Sequence, residues 1–402
     1  MDVAISATLA ANEEVARRRR AGQRILNLAF GEAGLPVHPA LRDALHQAAG
    51  SNGYGEVAGS RALRTAAAGY WTRRGILADP GLVVCGPGSK PLLYGILLAL
   101  GGDIVLPRPS WVSYAAQAEL AGVRPIMVPP PPGEGGAPDP GGVEAAVTAA
   151  RAEGRTVRSL LLTLPDNPTG RLARPETVRR LAELARELDL IIISDEIYRD
   201  LVHDPAAAFL SPAEVAPERT VVTTGLSKSL ALGGWRIGVA RLPTPGLHRR
   251  LVAVASEIWS SPTAPVQHAA AYAFGEPPEL VRRIAESRRL HGIVARAVAA
   301  RFAKAGARVP PPQGGFYLYP EIDGFPGPEE LAATLLDRYG IAVLPGTAFG
   351  DSPTAPRVRV ATSLLYGETD EQRLAALHAA DPLRLPWIAA GLEHLEEALA
   401  RL

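Results

Sequence analysis

The chain has 402 residues, 47% of them hydrophobic and 21% charged, with a formal net charge of +1. That length allows a large core and more than one domain, and the near-zero charge excludes a global field toward nucleic acid or an anionic membrane. One cysteine, Cys85, excludes an internal disulfide and a cysteine-built metal site.

The basic run Arg17 to Arg20 sits in a helical pattern beside Glu13 and Glu14 and reads as a solvated helix face. No signal-peptide pattern is present at the start of the sequence, and the longest apolar stretch, around Leu92 to Leu100, is too short to span a bilayer. A soluble, cytoplasmic protein is expected. Short β-rich runs follow at Leu82–Cys85, Asp103–Leu106, Arg124–Val128, Leu160–Leu164, Leu190–Ser194, Val221–Thr224 and Trp235–Ala240. Segments of helical spacing lie between most of them, such as Arg174–Leu188, where Val178, Leu181, Leu184, Ala185 and Leu188 mark one face. The alternation predicts an α/β fold with a mostly parallel seven-stranded sheet flanked by helices. Pro129 to Gly142, rich in Pro and Gly, reads as a loop. After about Pro265 the pattern changes to the helices Val266–Phe274 and Pro278–Ala305 and a few short strands, a smaller α+β domain.

In parallel sheets ligands bind in the loops after the strands, and four of those loops carry polar residues. Gly86-Pro87-Gly88-Ser89-Lys90 offers free N–H groups before a helix, either an anion site or a plain turn. Pro165-Asp166-Asn167-Pro168-Thr169-Gly170 has turn composition. Asp195, close behind four apolar residues, is expected to be partly buried and in need of a partner, or else a helix cap. The fourth loop, GLSKSLALGGWRIG from Gly225 to Gly238, sets Lys228 among leucines and glycines. A poorly solvated amine has a lowered pKa and attacks carbonyls, and Arg236 is placed to bind an anion carried by an aldehyde. Together a lysine, a buried acid, N–H groups ready for phosphate and an arginine fit pyridoxal 5′-phosphate.

With these residues in view, the chain resembles a class I/II aminotransferase of the fold type I pyridoxal phosphate family, in its aspartate and aromatic branch. The resemblance runs from Ile5-Ser6-Ala7-Thr8-Leu9 to the last helix and rests on the ordered set Asn167, Asp195, Tyr198, Lys228, Arg236 and Arg359. It implies that 46–275 forms the large cofactor-binding domain, 276–402 the small one, and 1–45 a segment joined to the small one. It implies that Lys228 holds the cofactor as a Schiff base and then moves protons. Asp195 would hold the ring nitrogen, Asn167 and Tyr198 the phenolic oxygen, and Trp111 the ring face. Gly88, Ser89, Lys90, Ser227 and Arg236 would cradle the phosphate. Tyr54 would reach the phosphate of a neighbouring subunit, in a homodimer with shared active sites. Arg359 would grip the substrate α-carboxylate, with Gly31, Trp111 and Asn167 beside it. An L-amino acid would give its amine and a 2-oxo acid would take it.

The sequence also departs from the family. Gly225 stands where many relatives have a phosphate-binding serine, with Thr224 or Ser227 as substitutes. Gly135–Gly142 reads as unusually loose, and 379–391 is added before the last helix, as surface elaboration or as a changed mouth to the site. A cis peptide is expected at Asn167-Pro168 or its neighbour Leu164-Pro165. Arg108, Arg288 and Arg289 are candidates by composition for the second cation that a dicarboxylate would need. The same residues would also suit a lyase, replacement or oxidative reaction on an amino acid, and a non-enzymatic binding role is the second alternative.

Overall fold

A computed structural model describes residues 5–402; the first four residues of the 1–45 segment lie outside it. A helix, Ala7–Arg20, leads to a short strand, β1 (Leu26–Asn27). The central sheet follows: β2 (Val83–Gly86), β3 (Asp103–Pro107), β4 (Pro125–Val128), β5 (Val157–Thr163), β6 (Ile191–Asp195), β7 (Thr220–Gly225) and β8 (Gly238–Arg241). Their order is β2-β8-β7-β6-β5-β3-β4, parallel except for β8, which runs antiparallel to both neighbours. β2, β3 and β7 are buried along their whole length, as expected of a sheet covered on both faces.

All seven predicted strands are present, with shifted ends. Trp235–Ala240 is the most displaced: Gly233–Trp235 is a 3₁₀ turn and Arg236 has a left-handed backbone at φ 53°, so extension resumes only at Gly238. The stretch 129–142 ends earlier as a loop than expected, because Asp139 caps a helix that starts at Pro140 and accepts from the Gly142 N–H at 2.8 Å. It is not loose either. Glu134 to Ala137 are buried, and the Gly136 carbonyl accepts from the Thr163 N–H at 2.7 Å. The cis bond in the Asn167 turn falls at Leu164-Pro165, not at Asn167-Pro168, and a second lies at Arg108-Pro109.

Beyond the sheet, β9 (Tyr317–Leu318), β10 (Ile341–Ala342), β11 (Leu344–Pro345) and β12 (Val358–Ala361) are short; β10 pairs with β1, and the other three form a small sheet. The 27-residue helix Pro278–Lys304 joins two cores. Its Leu280 packs with Leu41, Trp71 and Phe274, whereas Val294, Val298 and Phe302 pack with Leu28, Val358 and Leu395. Cys85 lies fully buried on β2 against Gly59, and burial pushes its thiol up to about 12. Among the described residues no helix is long and apolar enough to cross a membrane.

Candidate active site

The carboxyl ends of β2, β5, β6 and β7 open on one cavity of about 510 Å³. Register makes this happen: Thr163 stands opposite Asp195, and Asp195 opposite Thr223, so consecutive strands deliver their following loops to the same height. Ser89, Lys90, Trp111, Asn167, Asp195, Tyr198, Ser227, Lys228, Arg236, Gly31 and Arg359 all line it. Eleven positions far apart in sequence therefore meet in one place.

At the floor, Asp195 is buried and its carboxylate has no cation among the described residues. It accepts from the Tyr114 hydroxyl at 2.8 Å and the Ile197 N–H at 3.3 Å, and Tyr114 accepts from Thr163 at 2.9 Å. Burial, only partly offset by these donors, pushes its pKa up to about 6. The half-buried Lys228 donates to the Gly31 carbonyl at 2.6 Å, and its Nζ lies 5.9 Å from the Tyr198 ring centre. Tyr198 bonds Tyr317, hydroxyl to hydroxyl, at 2.9 Å.

Arg359 is 1% exposed. Its guanidinium reaches Asn167 Oδ1 at 3.3 Å and the Ala29 carbonyl, and lies over the rings of Tyr317 and Phe349. Among the described residues no carboxylate pairs with it, and its Nε has no partner. Burial pulls its pKa down, because the charge lacks a counter-ion. At the other end, Gly88 precedes a helix with φ 98°, and a Cβ there would sit 2.4 Å from Arg236 Nη2. Only glycine lets the guanidinium lie across the helix start. That leaves the Ser89 end of the helix and the exposed Arg236 facing the same space, an anion cradle. Lys90 has Nζ 5.1 Å above Trp111, and desolvation together with Arg236 and Lys228 lowers its pKa. Pyridoxal phosphate fits this donor set: an anion cradle, a buried carboxylate and a lysine line one cavity, the partners its phosphate, ring nitrogen and aldehyde would need.

Some expectations do not hold. Thr224 faces inward to the Glu196 carbonyl at 3.4 Å, so only Ser227 can stand in for the absent serine. Arg108, Arg288 and Arg289 do not line the cavity, and Arg289 spends its donors on carbonyls at Leu377, Ala379 and Ala380. Tyr54, expected at a neighbouring subunit's site and not at this one, is 96% exposed and does not line the cavity of its own chain. The 379–391 segment lies elsewhere too, with the Trp387 indole donating to the Tyr366 carbonyl at 2.8 Å. Sequence reasoning missed Tyr114, Thr163 and Tyr317, and also Thr8 and Leu9 of the first helix. Tyr114 lies one helical turn after Trp111 and Tyr317 follows a Gly-Gly pair, signals visible only once Trp111 and the β9 strand are placed.

A lysine, a buried carboxylate and an unpaired arginine at the carboxyl edge of such a sheet define a fold type I group-transfer enzyme. The family described as aminotransferase class I and II matches residues 23–373, and the chain belongs to it. It is 32% identical to a probable aspartate/prephenate aminotransferase of Thermus aquaticus, over 86% of this chain and 89% of that protein. It is 32% identical to the aspartate aminotransferase of Geobacillus stearothermophilus, over 92% and 95%. The structure of the Thermus thermophilus aspartate aminotransferase with maleate superposes with a TM-score of 0.85 at 29% identity, covering 98% of this chain and 97% of that one. The protein is an enzyme that transfers amino groups.

Proposed function

We propose that the enzyme binds pyridoxal 5′-phosphate in this cavity and moves an amine from an L-amino acid to a 2-oxo acid in two half-reactions, as a cytoplasmic homodimer. The observation that carries the reading is Arg359: a buried guanidinium with, among the described residues, a free Nε and no acid, in the same cavity as Lys228. Such a charge is stable only with an incoming carboxylate, and the guanidinium fork takes one bidentately. When bound, the cofactor supplies an aldehyde that condenses with amines and a ring that accepts electrons. Lys228 takes the proton from the substrate Cα and returns one on the other side of the transfer, as general acid/base. Asp195 holds the proton at the ring nitrogen, and Tyr114 orients it. Tyr198 and Asn167 would hold the ring oxygen, Trp111 would lie beside the ring, and Ser89, Ser227 and Arg236 would hold the phosphate. Gly31 is the lysine's resting partner and lines the carboxylate end.

The large unit of this reading is 46–275, with 276–402 and the first 45 residues as the small one; two cores joined by the helix Pro278–Lys304 support the division, although Leu41 and Leu280 pack on the large side of it. Several relatives are named for aspartate or prephenate, and Lys90 supports an acidic donor here. It is a cation in the cavity with no acid beside it, held near other cations, and a second carboxylate would relieve it. An acceptor-free lyase reaction is not favoured by the family match.

An absorbance titration of the holoenzyme with single amino acids and no acceptor tests the function. The expected result is a stoichiometric loss of the visible cofactor band that a 2-oxo acid restores. Ammonia or another product released without acceptor would overturn it.

A further inference from the structure

A second cavity, of about 720 Å³, lies between the first helix, β1 and the last helix. Two sequence features that the active site does not use meet there. Arg19 comes from the basic run, and Trp387 from the 379–391 segment. Arg24 and Arg373 line it too, against one acid, Glu368. Arg19 uses one donor on the Ile25 carbonyl at 2.8 Å, and Arg373 uses one on the Gly367 carbonyl at 3.0 Å. Arg373 also lies 3.9 Å from Asp370, a loose pairing, and no ion pair involves Arg19 or Arg24 among the described residues. The cavity therefore combines guanidinium forks with an indole and the side chain of Leu26.

Its inner wall is the back of the active site. Leu26 and Asn27 form β1, and Asn27 Oδ1 accepts from the Ala29 N–H at 3.1 Å. The Ala29 carbonyl in turn holds Arg359, and the Leu28 carbonyl accepts from the Ala361 N–H at 2.7 Å. In the turn that follows β12, the Tyr366 carbonyl accepts from the Trp387 indole and the Ser363 hydroxyl donates to the Glu32 carbonyl. Both backbone segments that set Arg359 thus run directly between the two cavities.

We propose that this cavity is an effector site for a small aromatic carboxylate, and that its occupancy changes the affinity for the substrate carboxylate. The arginines take the carboxylate, and Trp387 and Leu26 take the flat apolar body. The coupling is reciprocal by linkage, so substrate changes effector affinity by the same factor.

The test is calorimetric titration of the holoenzyme with indole-3-carboxylate, alone and with a saturating 2-oxo acid, beside inorganic phosphate. The expected result is one site per chain that persists when the 2-oxo acid is present, weakened about tenfold or more in Arg24→Glu, with phosphate much weaker. Indole-3-carboxylate also shifts the donor KM severalfold in the wild type and not in Arg24→Glu, whose KM without the probe stays near wild type. Trp387→Phe, a milder change, weakens the aromatic probe in the same direction. No binding up to millimolar probe, displacement by the 2-oxo acid, indifference to Arg24→Glu, or equal binding of phosphate would each overturn the proposal. The binding arm does not depend on which donor the enzyme uses, so its failure is separable from failure of the transamination reading.

Discussion

Three charged side chains carry opposite burdens in the cavity. Lys228 is half-buried and rests on the Gly31 carbonyl, whereas Asp195 and Arg359 are buried without counter-charges among the described residues. Removing the lysine removes the proton carrier, so Lys228→Ala lowers the turnover of the amino transfer by about 10³-fold or more while the far-UV spectrum is unchanged. Arg359→Lys keeps the charge and loses the fork; two charge-assisted bonds are worth about 3 kcal/mol together, so kcat/KM falls roughly 100-fold in steady-state assays. Asp195 makes a statement about pH. Its folded pKa of about 6 lies above the ordinary 3.8, so folding favours the protonated form. The stability from this group is full below about 3.8 and is lost as pH rises through about 6. The cofactor-free protein should lose about 1–2 kcal/mol between pH 5 and pH 8 from this carboxyl, and Asp195→Asn should remove that slope in urea titrations at the two pH values. Lys90→Ala should raise KM for acidic donors about tenfold or more and leave apolar donors nearly unchanged.

Elements were legible where periodicity is strong. Arg174–Leu188 differs from the observed helix Pro175–Glu187 by one residue at each end, because its apolar stripe is continuous. The loop 129–142 was misread because Pro and Gly content signals irregular backbone, not exposure. Its glycines serve close packing: Gly136 has φ 78°, and a Cβ there would stand 1.9 Å from the Thr163 carbonyl. Gly133 has the same φ with nothing within 4 Å. Gly136→Ala is therefore expected to cost about 2–4 kcal/mol and Gly133→Ala about 1 kcal/mol in chemical unfolding, the difference being contact and not backbone preference. The first change also lowers activity, since Thr163 supports Tyr114 and Tyr114 supports Asp195.

At the scale of the whole molecule, the convergence of strand ends was legible, because the parallel-sheet rule puts every βα loop on one edge. The residues that come from the far end of the chain were not: Tyr317 reaches the site by the pairing of β9 with β12, which no local pattern encodes. Tyr54 exposes 96% of its surface, and we propose that it completes the site of a second copy. Co-expressing Tyr54→Ala with Lys228→Ala tests this. Hybrid dimers regain one intact site, so a random mixture recovers about one quarter of wild-type sites, whereas unshared sites give no recovery beyond the sum of the separate variants.

Cys85 has a practical consequence. Its sulfur sits on the second strand behind Gly59, shielded and held as a poorly reactive thiol. Because it is the chain's sole sulfhydryl, a dye attached through an introduced surface cysteine would label one chosen position with almost no background. In the unlabelled enzyme, the slow reaction of that sulfhydryl with an aromatic disulfide becomes a clock for opening of the central sheet.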